Sequence, residues 1–422
     1  MAFITFPILM PSEEKLMKNR SITHWIIIGL LCGLSASSIG ICNNAVGVYY
    51  TPVSESLGVL RGTFALHATL SLMATAVTAL FVPTLMKKFP YKPLLLIGVI
   101  MAVGSTILMG LSNNVMQFYI LGIVRGVGSG LFASVPLNSI ITNWFVDKHG
   151  LATSIALSFS GLAGAVCSPL ITSFITSYGW RTAYFLTAAM IGICTIPALL
   201  YPWTITPEQS GLLPYGAEAP KEQKQKEKKK FNYFQLTFFL LAIMTFLHTS
   251  ITGVSQHLSG YAVSMGMAAS TGATMLSMTM LGNIASKLVI GALSDKFGPV
   301  KACISMIVLN IISLVLIIIG GQMNMVLLQM VGAFLFGSIY SVGAVGIALL
   351  TKHFFGTENF SSCFSIIGFV QSLGSSSSLT LIGYLYDFTG TYVYMFLIAI
   401  GFHLINMALI TIIANRTRKQ TA

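Results

Sequence analysis

A chain of 422 residues that is 55% hydrophobic and only 8% charged is not an ordinary soluble protein, since soluble domains carry roughly 25% charged residues. Its formal net charge of +12 invites a nucleic-acid reading, but the basic residues are sorted to one side of a series of apolar stretches rather than gathered in a patch. That arrangement leaves no reason to propose nucleic acid as a partner.

In chain order, apolar stretches of about 20 residues, the length that crosses a bilayer, predict spans at 24–50, 61–85, 93–112, 115–142, 151–176, 182–201, 234–256, 267–293, 301–320, 324–350, 360–386 and 392–414. Apolar blocks without strand-like alternation select helices over a membrane barrel, because lipid offers unpaired backbone no partner. The predicted fold is an all-α membrane protein with twelve transmembrane helices in two pseudo-symmetric six-helix halves. Residues 1–201 and 234–422 form the halves, and 202–233 a linker, where Pro202, Pro207, Pro214 and Pro220 lead into KEQKQKEKKK, a segment too charged to bury itself. The opening MAFITFPILM has neither a basic leader nor a small-residue cleavage site, so no cleaved signal is expected. Met17, directly before Lys18-Asn19-Arg20, is an alternative start.

All but four of the 23 Lys and Arg fall in segments that share one side of this arrangement; the exceptions are Arg61, Arg125, Arg181 and Lys287. This bias is the positive-inside signature, and it predicts a cell-membrane protein with both termini in the cytoplasm. The six cysteines lie in or beside spans without paired loop spacing and read as small packing residues.

The halves echo each other at an offset of about 210 residues. Asn143-Trp144-Phe145 matches His353-Phe354-Phe355, and Gly179-Trp180-Arg181 matches Gly390-Thr391-Tyr392. Duplicated halves with a solute site between them are a transporter architecture. Gly122, Gly126 and Gly130 share one face of span four, which predicts close helix contact.

All eleven Asp and Glu fall in loops, tails or span ends, whereas Arg125 in span four and Lys287 in span eight lie deep. Each deep cation costs about 3 kcal/mol on insertion scales and calls for a partner. With no deep acid available, the cargo itself is the natural counter-charge, which favours an anion. His67, His248 and His257 are candidates for proton coupling, since histidine titrates near neutral pH; His403 also lies within a span.

Between spans eight and nine, Gly291-Ala292-Leu293-Ser294-Asp295-Lys296-Phe297-Gly298-Pro299-Val300-Lys301 resembles the G-x-L-x-D-[RK]-x-G-x-x-[RK] loop of the major facilitator superfamily. The resemblance implies a conformational latch carried by Gly291, Asp295, Lys296 and Gly298. The first-half copy, Pro83-Thr84-Leu85-Met86-Lys87-Lys88-Phe89-Pro90, has Lys87 at the acidic position. Tyr49-Tyr50-Thr51-Pro52, Gly179-Trp180-Arg181 and Gly383-Tyr384-Leu385-Tyr386-Asp387 are similar to segments of the oxalate/formate antiporter family, a relative of the monocarboxylate transporters.

That resemblance implies that Lys287, four residues before Gly291, binds a carboxylate, and that Tyr49, Phe336 and Tyr340 wall the pocket, with Arg125 adding to the field. The chain departs from the oxalate exchanger in span eleven, where Ile367 stands in place of a second lysine, and from monocarboxylate carriers at Asn283, where they carry an acid. The expected function is alternating-access transport of a small organic anion, a monocarboxylate, by a monomer in membrane lipid. A drug or neutral-solute exporter is the alternative, and a membrane receptor or enzyme the remote one. No nucleophile-and-base grouping, metal-ligand spacing or phosphate loop is found, so no enzyme activity, metal or cofactor is expected.

Overall fold

The computed structural model describes residues 13–146, 148–216 and 235–421, apart from the side chains of 13–21, 208, 357–359, 361, 362, 365 and 418–421. Met1, most of the predicted linker with its KEQKQKEKKK run, and Asp147 lie outside the described residues. Among those described, the apolar helices are α1 Ile22–Leu57, α2 Arg61–Lys88, α3 Tyr91–Leu111, α4 Val115–Trp144, a continuous run His149–Leu200, α7 Leu236–Ser264, α8 Ala269–Phe297, α9 Pro299–Gln322, α10 Val326–Gly356, α11 Ile366–Thr389 and α12 Val393–Thr417.

The run His149–Leu200 would be roughly 78 Å long at 1.5 Å per residue, more than twice a bilayer core. It is broken at Gly179, whose φ of 82° and ψ of 161° are non-helical. A residue with a Cβ is disfavoured there, so one glycine turns the chain back where a loop was expected between spans five and six. The run is therefore two crossings, α5 (149–178) and α6 (180–200), which makes twelve among the described residues. We call the end where α1 begins and α12 ends the near side, and the other the far side.

The first six helices gather around one hydrophobic core, which includes Tyr49, Phe64, Phe118, Trp144 and Tyr184. Helices α7–α12 hold two cores, one around Cys303 and Ile347 and the other around Tyr261, Phe336 and Phe396. The pseudo-symmetry is visible in solvent exposure: the pattern along 131–140 in α4 repeats position by position along 341–350 in α10, with Ser134 and Ala344 exposed at the same place.

Backbone irregularity falls on four helices related by the same offset. Helix α1 carries a π-helical stretch Ala36–Asn44 and a 3₁₀ turn Val46–Tyr49, α7 a 3₁₀ turn Ile251–Gly253, and α10 a π-helical stretch Val342–Gly346. Helix α4 is interrupted between Gly130 and Ser134. The cause in α4 is Pro136, which has no N–H to give the carbonyl four residues back. That carbonyl, on Phe132, instead accepts the Ser38 hydroxyl of α1 at 3.3 Å, as dry surroundings require. Broken helices of this kind line solute sites in transporters.

Candidate functional site

Among the described residues, the hydrogen bonds between the halves run from the far end of the bundle to mid-depth. Asp387 at the end of α11 accepts the backbone N–H of Arg61 at 3.2 Å and of Gly62 at 2.8 Å, so it caps the first turn of α2 across the seam. The Arg61 guanidinium lies 4.3 Å over the Tyr386 ring, donates to the Tyr392 hydroxyl at 3.1 Å and pairs with Glu55 at 3.5 Å. Gly62 is needed for this approach, because a Cβ there would lie 2.6 Å from the Tyr384 ring and backbone. Deeper, the Thr69 hydroxyl donates to Ser376 O at 2.7 Å and the Ser277 hydroxyl to Ala165 O at 2.6 Å.

At mid-depth Gln256 of α7 joins the irregular part of α1. Its side-chain oxygen accepts Gly47 N–H at 2.9 Å and its amide donates to Asn44 O at 3.1 Å. Beside it, the hydroxyls of Ser255 and Tyr340 are 2.7 Å apart. Tyr340 is half-buried and packs against the cores of both halves, so these residues form the floor at which the far-side closure ends.

On the near side of that floor the halves part. A cavity of about 220 Å³ opens between α2, α4 and α11, with Thr75, Ser134, Ser372 and Ser375 in its wall. On the opposite seam, α8 packs on α5 through Met280 and Ile284, which face Gly161. Lys287 lies three residues beyond Ile284 on the same helix face, one turn nearer the open side. It is half-buried and has no hydrogen-bond or ion-pair partner among the described residues.

The other predicted residues are distributed as follows. Tyr49 is buried in the first half, stacked on Tyr184 at 4.1 Å and hydrogen-bonded to Thr187 at 2.7 Å. Phe336 is buried in the core of the second half. Arg125 is 3% exposed, and among the described residues its only hydrogen-bond contact is Met109 Sδ at 3.7 Å. Tyr340 therefore packs against both halves and Lys287 shares a helix face with residues that meet α5, while Tyr49 and Phe336 are buried within their own halves and Arg125 is buried.

His67, His248 and His257 are all buried, and each has one ring nitrogen on a carbonyl: Phe64 O at 2.6 Å, Ile339 O at 3.0 Å and Leu379 O at 2.8 Å. A carbonyl only accepts, so that nitrogen carries the proton. The other ring nitrogen has no partner in any of the three. Only His257 lies at the seam, 5.2 Å from the Tyr50 ring of the other half.

In the loop motif, Gly298 ends α8 with φ 84°, and Pro299 opens α9 directly after it. Asp295 is exposed and unpaired among the described residues. A Cβ on Gly291 would meet nothing within 4 Å, so none of the described residues packs on that glycine.

Reading from sequence passed over Asn44, Gln256, Ser255 and the capping role of Asp387. Gln256 and Asn44 carried a signal, as uncharged amides inside spans, which lipid penalises unless they are bonded.

The family model described as Major Facilitator Superfamily matches residues 30–378 and 238–422. Monocarboxylate transporter 12 of Xenopus laevis is 24% identical over 350 residues, covering 77% of this chain and 75% of that protein. A riboflavin transporter of Saccharomyces cerevisiae is 23% identical over 362 residues, covering 78% and 65%. Among solved structures, the nucleoside transporter NupG superposes with a TM-score of 0.72 at 12% identity, covering 92% of this chain and 99% of that one. A bacterial homolog to the human lysosomal transporter Spinster, in an inward-facing and occupied conformation, gives 0.63 at 12% identity, covering 94% and 95%.

Proposed function

The chain belongs to the major facilitator superfamily, a multi-pass membrane transporter rather than an enzyme, and we propose that it carries a small organic anion, a monocarboxylate, by alternating access. The observation that carries this reading is Lys287, a cation inside a span whose face meets the other half and which has no ion-pair partner among the described residues. A transported carboxylate supplies the missing charge, and a charge-assisted hydrogen bond to it is about twice as strong as a neutral one. Tyr340, Ser255 and Gln256 offer hydroxyl and amide groups at the cavity floor. Tyr49 and Phe336 back the walls from within their own halves.

In this reading residues 1–201 and 234–422 are the two rocking bodies of a monomer in lipid, joined by the linker 202–233. The near side is cytoplasmic, in keeping with its surplus of Lys and Arg, and the chain in this conformation faces inward. The loop motif at Gly291, Asp295, Lys296 and Gly298 engages when the near side closes. His257 is the histidine best located to couple protons, with His67 and His248 enclosed in their own halves. The relative named a riboflavin transporter keeps a larger, non-carboxylate cargo as the second reading.

Thermal unfolding of the purified protein tests the cargo class. A ligand of the native state at a hundred times its dissociation constant adds about 2.7 kcal/mol, so short monocarboxylates are expected to raise the unfolding temperature while their amides leave it unchanged. Stabilisation by neutral aromatic compounds alone would overturn the anion reading.

A further inference from the structure

The first half holds a second cation that the near-side cavity does not reach. Arg125 is 3% exposed; its Nε and Nη2 have no hydrogen-bond partner, and neither do the hydroxyls of Tyr50 and Tyr184 or Nε2 of His67. These groups belong to one neighbourhood. Phe118, two turns before Arg125 on α4, contacts His67 at 5.9 Å and Tyr184 at 5.9 Å, and Tyr50 lies 6.3 Å from His67, all between ring centroids. Gly122, one turn before Arg125, packs on the His67 backbone, since a Cβ there would lie 2.5 Å from His67 O. The one ion pair among the described residues is Arg61–Glu55, so none of the described carboxylates pairs with Arg125. Buried polar atoms are ordinarily bonded, and a buried guanidinium with two orphan nitrogens, in the same half as two orphan tyrosine hydroxyls, calls for an acceptor that the described residues do not supply.

We propose that Arg125, Tyr50 and Tyr184 form a second anion site in the first half, which takes the cargo carboxylate when the far-side seam opens. Tyr50 is the door of this cage: it meets His257 of the other half at 5.2 Å, so parting α1 from α7 uncovers it. Arg125 lies about ten residues past the start of α4, roughly 15 Å from the far end, and Lys287 about eighteen residues past the start of α8, roughly 27 Å from it, at 1.5 Å per residue. One small carboxylate cannot touch both. The two cations instead serve opposite faces of the carrier, Arg125 receiving from outside and Lys287 from inside. This inference rests on the anion-carrier reading and adds sidedness to it.

The full chain, reconstituted in one orientation with labelled pyruvate as the probe, tests it by initial uptake from each face. Arg125→Gln is expected to raise the half-saturating concentration at the far face at least about tenfold, the cost of losing one charge-assisted hydrogen bond, with the near face within about threefold. Lys287→Gln shows the mirror pattern. Arg125→Lys keeps the charge and retains far-face affinity better than Arg125→Gln. Equal effects of Arg125→Gln on both faces, or on neither, overturn the inference, as does an Arg125→Lys protein damaged alike at both faces.

Were the wild-type chain to move no pyruvate, the anion-carrier reading would fail by itself, and the cage would be judged by thermal stabilisation with formate and with chloride. Stabilisation lost in Arg125→Gln upholds an anion site. Stabilisation that survives the substitution, or is absent from the wild type, removes it.

Discussion

Lys287→Ala is expected to lower carboxylate uptake by roughly 10–150-fold, because a hydrogen bond to a charged group contributes about 1.5–3 kcal/mol. The loss should fall on carboxylates and spare any neutral compound that the carrier admits. Lys287→Arg keeps the charge and replaces a point donor with a planar fork, so it retains transport but shifts preference among carboxylates of different width. The lysine lies one turn past Ile284 on a half-buried face, not within a packed core, so its removal opens no cavity. A Lys287→Ala protein that folds, elutes as wild type and transports carboxylates equally well would show that the cargo binds elsewhere.

Asp387→Ala has the second large effect, on the resting conformation. The carboxylate holds the N–H groups of Arg61 and Gly62 at 3.2 and 2.8 Å, and truncation leaves the start of α2 uncapped on the seam. Two charge-assisted bonds lost from the far-closed state only, at about 1.5 kcal/mol or more each, shift the population toward the far-open state by roughly a hundredfold. Ser376→Cys, in a background whose native cysteines are replaced, reports the shift. Ser376 is fully buried, and its backbone carbonyl, not its side chain, receives Thr69. Labelling by a membrane-impermeant maleimide from the far side should be slow with Asp387 present and roughly a hundredfold faster with Asp387→Ala. Unchanged labelling would mean that the aromatic stack on Arg61 closes the seam without the cap.

The twelve crossings were legible because a bilayer imposes a length that a run of apolar residues either meets or fails. The break at Gly179 was legible only in part: the glycine was noticed for its echo of Gly390, but a single residue turning the chain through φ 82° is a matter of backbone geometry that an apolar profile blurs. Lys287 stood out as a charge inside a span. That it faces the other half follows from its phase with Ser277, Met280 and Ile284, which is visible once the partner helix is known. Tyr49, Phe336 and Tyr340 were named together by resemblance, yet only Tyr340 meets both halves; residue type does not distinguish an aromatic that lines a cavity from one that fills a core. Asp387 read as a loop acid, because its capping partners are more than 300 positions away in the chain. The small residues of span four read as packing, whereas the π-helical stretches of α1 and α10 are a matter of backbone geometry that no residue pattern announced.

The central claim, that the cargo is recognised by its negative charge, is tested most directly by paired acids and amides of the same shape. Purified protein in liposomes, with and without a pH gradient, would be offered labelled benzoate and benzamide, and labelled pyruvate with its amide as competitor. The account predicts saturable, protein-dependent uptake of the acids that the amides do not inhibit. Amides that enter or compete as well as their acids would contradict it.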